Sequence, residues 1–123
     1  PSAEQVETLM RKPRKGQLMT IQSMARHFAA EAGADVACPM TTGIFAWLVA
    51  HAADEAEQAD RGRVLPWWRT VKTGGELNPK YPGGIDAQRQ RLEAEGHRII
   101  QKGKRWVVER IESDSVKLAP TPA

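Results

Sequence analysis

Groups able to make or break bonds are scarce in this 123-residue sequence. It holds one cysteine, Cys38, and three histidines, His27, His51 and His97. Their spacing matches no metal-ligand pattern, so neither a metal nor another cofactor is expected. A single thiol excludes an internal disulfide framework and fits a reducing compartment, which makes the cytoplasm the expected location. Cys38 directly precedes Pro39 at an expected helix start, where the helix dipole lowers a thiol pKa. It is therefore either a reactive thiolate or a small semi-buried core residue. The other unusual group is the run Pro66-Trp67-Trp68-Arg69, which contains two of the four tryptophans. Indole faces stack on nucleobases without sequence preference. Indoles equally bury roughly 200 Å² each in a core, and the residue types alone leave both roles open.

Charge narrows the partners. Residues 61–110 contain twelve Lys/Arg against five Asp/Glu, whereas residues 16–60 contain one Arg against six acids. A basic C-terminal half suits phosphate binding, though a generic solvated surface has the same composition. No run of about 18 apolar residues is present to form a membrane-spanning helix, and no basic-apolar-small leader opens the chain, so neither a membrane nor a secretory role is expected.

The elements that must position these groups follow from periodicity and capping. Ser2 and Gln5 form a capping box before Val6, Leu9 and Met10. Pro13 and Gly16 in the basic stretch 11–16 end that helix. Thr20 caps a second helix with an apolar face of Ile21, Met24, Ala25, Phe28 and Ala32, closed by Gly33. Pro39 opens a third, whose stripe is Ile44, Leu48, Ala52 with Phe45, Val49, Ala53, and Trp47 packs on the domain. Acids over 53–63 oppose the helix dipole and predict fraying or bending there. Residues 64–84 read as loop with short extended pieces, punctuated by Gly74-Gly75, Asn78-Pro79 and Pro82-Gly83-Gly84. Asp86 caps a fourth helix ended by Gly96. Ile99, Ile100 and Trp106–Val108 form a hairpin with Lys102-Gly103 at its turn. The expected fold is α+β and mostly helical: one winged helix-turn-helix-like domain over 1–112 with a small C-terminal β-hairpin, then a flexible tail over 113–123.

Within 66–96 the order is distinctive: Pro66-Trp67-Trp68-Arg69, Thr70-Val71, Gly74-Gly75, Tyr81-Pro82-Gly83-Gly84, Gln88, Leu92, Glu95-Gly96-His97. This order resembles the DNA-binding domain of the O6-alkylguanine-DNA alkyltransferases, and more closely the alkyltransferase-like proteins, which carry tryptophan in place of the acceptor cysteine. Upstream, 16–39 is similar to the helix-turn-helix of the same family, and the resemblance covers roughly residues 5–110. It places Trp67 at the acceptor position, Trp68 at that of the histidine base, and Glu95 at that of the supporting acid. Alkyl transfer requires a thiolate; an indole does not serve, so the resemblance implies a non-enzymatic protein.

The same resemblance implies a lesion pocket of Trp67, Trp68, Tyr81 and Arg69, with Trp67 facing the pocket and Trp68 packed. Tyr81 is alternatively a turn aromatic covering the core, and Arg69 alternatively an organiser of the loop. Candidate DNA contacts are Thr41, Thr42, Gly43, Lys72, Lys80, Lys104 and Arg105. Thr41 and Thr42 hold a phosphate at the helix N-terminus or merely cap it. Departures are equally specific. Gly43 falls where the family has the arginine that replaces a flipped base, and Ile21 where it has a tyrosine that pushes on the phosphate. An acidic insertion stands in place of the family's asparagine hinge.

The partners so implied are double-stranded DNA, including DNA with alkylated guanine, and excision-repair proteins. A general winged-helix module for nucleic acid or protein, with its pocket plugged by Trp68, is the second reading. An enzyme using Cys38 is the third.

Overall fold

A computed structural model describes residues 2–33 and 38–109. The tail expected over 113–123 and the boundary at 112 lie outside them. Helix α1 (Ala3–Met10) begins in the expected capping box: the Ser2 hydroxyl accepts from the Gln5 amide at 3.2 Å, and the Gln5 side chain accepts from the Ser2 amide at 2.8 Å. Such a cap contributes about 1 kcal/mol. Strand β1 (Met19–Thr20) runs straight into α2 (Ile21–Glu31), whose Thr20 cap accepts from the Ser23 amide at 3.1 Å. Gly33, with φ +67°, follows that helix in the left-handed conformation expected of its closing glycine.

Helix α3 spans Pro39–Gln58 and differs from expectation in phase and length. Its buried positions are Thr42, Ala46, Val49 and Ala50, while Ile44 and Leu48 are 44% and 46% exposed. The helix packs on both α1 and α2, and Ala46 and Ala50 bring it close to them. A helix apolar almost all round between 44 and 53 gives periodicity no single face to choose. Nor does α3 fray. Arg91 donates to Glu57 at 2.7 Å and Gln58 to Asp54 at 2.8 Å, so a cation from elsewhere in the chain offsets the unfavourable acids at this end.

Strand β2 (Thr70–Val71) pairs parallel with β1, Met19 opposite Thr70 and Thr20 opposite Val71. Helix α4 (Gly84–Ala94) starts two residues before the expected Asp86 cap, with Gly83 as its N-cap at φ +76°. A Cβ on Gly83 would lie 2.5 Å from that of Ala87, so only glycine fits. Asp86 instead occupies the first turn, where its charge suits the dipole. Strands β3 (Ile99–Lys102) and β4 (Arg105–Val108) form the expected hairpin, but its turn is Gly103-Lys104, because Lys102 pairs with Arg105. The hairpin is tied to the loop before α4 by the Glu76–Val107 bridge and a 2.8 Å bond from the Leu77 amide to the Trp106 carbonyl. One core runs through the domain, from Val6 and Met10 through Met24 to Trp67, Tyr81 and Leu92.

Candidate nucleic-acid interface

The Trp-Trp loop is built from beneath. Trp67–Arg69 form one 3₁₀ turn, closed by the Arg69 amide donating to the Pro66 carbonyl at 3.1 Å. Gln88 of α4 is fully buried and fixes that turn. Its amide nitrogen donates to the carbonyls of Trp68 (3.1 Å) and Thr70 (3.2 Å), and its oxygen accepts from the Asn78 amide (2.8 Å). Trp67 is 2% exposed and stands edge-on to both Trp68 and Tyr81, at centroid distances of 5.7 and 5.6 Å. Tyr81 is also 2% exposed, and burial pushes its hydroxyl well above the ordinary tyrosine range. The Trp67 indole N–H and the Tyr81 hydroxyl have no hydrogen-bonding partner among the described residues.

Arg69 organises the loop. It grips Glu95 with two donors, Nη2 to Oε2 at 2.6 Å and Nε to Oε1 at 2.9 Å, and donates Nη1 to the Pro13 carbonyl at 2.8 Å. Burial pushes the Glu95 carboxyl up. The hydrogen bonds and the charge of Arg69 outweigh this and hold it below its ordinary value. Trp68 is packed, as expected, and the Arg91 guanidinium lies over its ring at 4.4 Å. Of the four residues expected to surround a lesion, Trp67 and Tyr81 form a closed interior, while Trp68 and Arg69 border an open hollow on the side of Pro13–Lys15 and Arg63–Val64. Trp67 does not face an open pocket, because its indole fills the space between the turn and Tyr81.

The open space lies one layer out. A cavity of about 370 Å³ opens between the first turns of α3 and the 72–80 segment. Pro39, Met40, Gly43, Ile44 and Trp47 form one side, Lys72, Thr73, Glu76 and Asn78–Lys80 the other, and Ile21 the base. His51, whose ring stands edge-on to Trp47 at 6.1 Å, donates from Nε2 to the Lys80 carbonyl at 2.7 Å and so pins the two sides together. A Cβ on Gly43 would meet only the Ile21 Cγ2, at 3.9 Å, so this glycine leaves room in the cavity rather than serving the backbone.

The expected DNA contacts are partly assembled here. Gly43, Lys72 and Lys80 line the cavity. Glu76 lies 3.9 Å from both Lys72 and Arg105, which brings the hairpin's arginine to its edge, while Lys104 is exposed in the hairpin turn. Thr41 is exposed, but Thr42 is fully buried and its hydroxyl donates back to the Cys38 carbonyl at 3.2 Å, so it neither caps a free amide of α3 nor reaches out. Cys38 is exposed, not semi-buried, and hydrogen bonding from the Thr41 hydroxyl, then from the Thr41 and Met40 amides, holds its thiol below the ordinary range. Sequence reasoning missed Met40 (75% exposed), Ile44 and Trp47 as lining residues, having assigned Ile44 and Trp47 to packing. The available signal was Gly43 itself, a helix-weakening residue inside an apolar run. Among the described residues no group of three or more His, Cys, Asp or Glu is placed to hold a metal.

No protein-family model matches this chain, and no curated protein matches it in sequence. Its three-dimensional arrangement is the α+β fold of the alkyltransferase-like proteins. The likeness is to two solved structures in particular. One is S. pombe Atl1 in complex with damaged DNA containing O6-carboxymethylguanine, at TM-score 0.64 and 18% identity; the other is S. pombe ATL in complex with DNA, at TM-score 0.58 and 17% identity. Each match covers 94% of both chains.

Proposed function

We propose that this chain is a non-enzymatic DNA-binding protein of the alkyltransferase-like kind, which presents the start of α3 to duplex DNA. It receives an O6-alkylated guanine in the cavity between α3 and 72–80 and marks the site for excision-repair proteins. The observation that carries this reading is that cavity: open, about 370 Å³, with Lys72 and Lys80 on its rim and the Trp47 indole in its side, in a fold shared with two DNA-bound proteins. Its size suits a single base, at the small end of ligand pockets. Trp47 supplies a stacking surface, and the lysines with Arg105 and Lys104 supply phosphate contacts. Alkyl transfer has no acceptor inside, since the loop carries indoles and Cys38 is not among the lining residues.

Fluorescence anisotropy at low salt, with plain and O6-methylguanine duplexes, tests this. Tighter binding of the damaged duplex is expected. Four phosphate contacts give a slope of about −3.6 in log K against log salt. Binding to neither duplex would refute the reading. Equal affinity would favour the second one, a general DNA-binding module, which the closed packing of Trp67 on Tyr81 supports. Mass spectrometry after incubation with the damaged duplex should show no alkyl group added to Cys38.

A further inference from the structure

A second concave region lies elsewhere on the molecule and shares no lining residue with the cavity at the start of α3. It has two connected parts. The first is a trough of about 400 Å³ between α1 and the C-terminal half of α3, with Leu48, Ala52, Ala53 and Ala56 along one side and Leu65 beyond. The second is an open hollow of about 560 Å³ bordered by Arg14, Lys15, Arg63, Val64 and the Trp-Trp loop. Arg11 and Arg63 line both, so the two are continuous.

Their chemistry differs. Leu48 and Val64 are 46% and 47% exposed, two of the four large apolar side chains left substantially exposed among the described residues. The other two, Met40 and Ile44, belong to the first cavity. Alanines at 52, 53 and 56 leave the trough shallow enough for a backbone to approach. Among the described residues the hollow has no carboxylate in its lining. Arg69 is engaged by Glu95 and Arg11 by Glu7, and among the described residues Arg14, Lys15 and Arg63 have no acidic partner. Glu4 and Glu7 stand only on the α1 side of the trough.

We infer that this continuous surface docks an acidic amphipathic segment of a partner protein, with apolar side chains in the alanine-lined trough and carboxylates over Arg14, Lys15 and Arg63. Charge complementarity identifies the acidic half. The aliphatic trough decides for a peptide over nucleic acid, because a sugar-phosphate backbone uses the cations but has nothing to place against Leu48 and the alanines. The surface shares no lining residue with the cavity proposed for DNA, although Leu48 and Ile44 stand one turn apart on α3.

The test uses the intact protein and a fluorescein-labelled 16-residue peptide in which leucines at i, i+3 and i+4 spacing alternate with glutamates. Micromolar binding is expected, with amide chemical-shift changes confined to residues around 11–15, 48–56 and 61–65. Leu48→Asn and the pair Arg14→Glu/Lys15→Glu should each weaken it at least tenfold. Leu48→Asn should leave duplex affinity within twofold, and unchanged melting temperatures show that the surface variants stay folded. Four results overturn the inference: no binding; binding insensitive to Leu48→Asn; displacement by single-stranded oligo-dT at equal charge; or self-association abolished by Leu48→Asn, which would make a second copy the occupant. A protein that binds the peptide and no DNA refutes the proposed function and leaves this inference standing.

Discussion

Gly43 offers the sharpest test of where DNA recognition sits, because stability and binding should move in opposite directions. It lies inside α3 with no positive φ, so alanine suits its backbone. The added Cβ would touch only the Ile21 Cγ2 at 3.9 Å, an ordinary van der Waals contact. Gly43→Ala therefore gains helix propensity without a steric cost, about 0.8–1 kcal/mol. For a domain of this size that corresponds to a rise in Tm of roughly 4 °C. Gly43→Leu keeps most of that gain and sends its side chain into the cavity between α3 and 72–80. Differential scanning fluorimetry should show both variants at or above the parent Tm. Anisotropy with the O6-methylguanine duplex should show Gly43→Leu weakened at least tenfold, about 1.4 kcal/mol. A well-folded Gly43→Leu that binds both duplexes like the parent would refute the assignment of the cavity as the recognition site.

Three further outcomes follow from the same geometry. Glu95→Gln should cost about 2–3 kcal/mol in denaturant melts, below the range for a fully buried pair because the partners keep 10–15% exposure. Since the folded Glu95 carboxyl lies below its ordinary value near 4.5, its contribution is complete above that pH and is lost as pH falls through the folded value, so parent and variant stabilities should converge on acidification below pH 4.5. Trp67→Ala should destabilise by about 3–5 kcal/mol through the cavity it leaves, so lost DNA binding in that variant would report unfolding; Trp67→Phe should bind DNA within a few fold of the parent. Cys38, exposed at the N-cap of α3, should react with iodoacetamide faster at pH 7 than free cysteine does, and duplex DNA should slow it severalfold.

Capping chemistry and turn residues made much of this fold legible. Ser2 with Gln5, Thr20 and Pro39 act through neighbours a few positions away, so their effect is written locally. The phase of α3 was not, because it depends on two helices packing against one nearly all-apolar stretch. The end of α3 was misread for the same reason: Arg91, 34 positions along, stabilises it. The site shows the same division. Motif order picked out the loop and named Gln88 without giving it a role, and Gly43, Lys72 and Lys80, expected separately as DNA contacts, line one cavity. What motif order could not show is that Trp67 and Tyr81 pack shut, which leaves the cavity beside Trp47 and Met40 as an accessible concavity. Side-chain volume in a three-dimensional setting decides that, and spacing along a chain does not record it.

Every bond that Gln88 makes to the loop ends on a main-chain atom: the carbonyls of Trp68 and Thr70, and the amide of Asn78. The shape of the 66–78 segment is thus specified from outside, without consulting the side chains it displays. Exchange of a side chain at 67 therefore leaves these three main-chain bonds in place and costs instead the core volume that the indole fills beside Tyr81. The path of the loop and the filling of the core beneath it are separate contributions, one set by Gln88 and the other by Trp67.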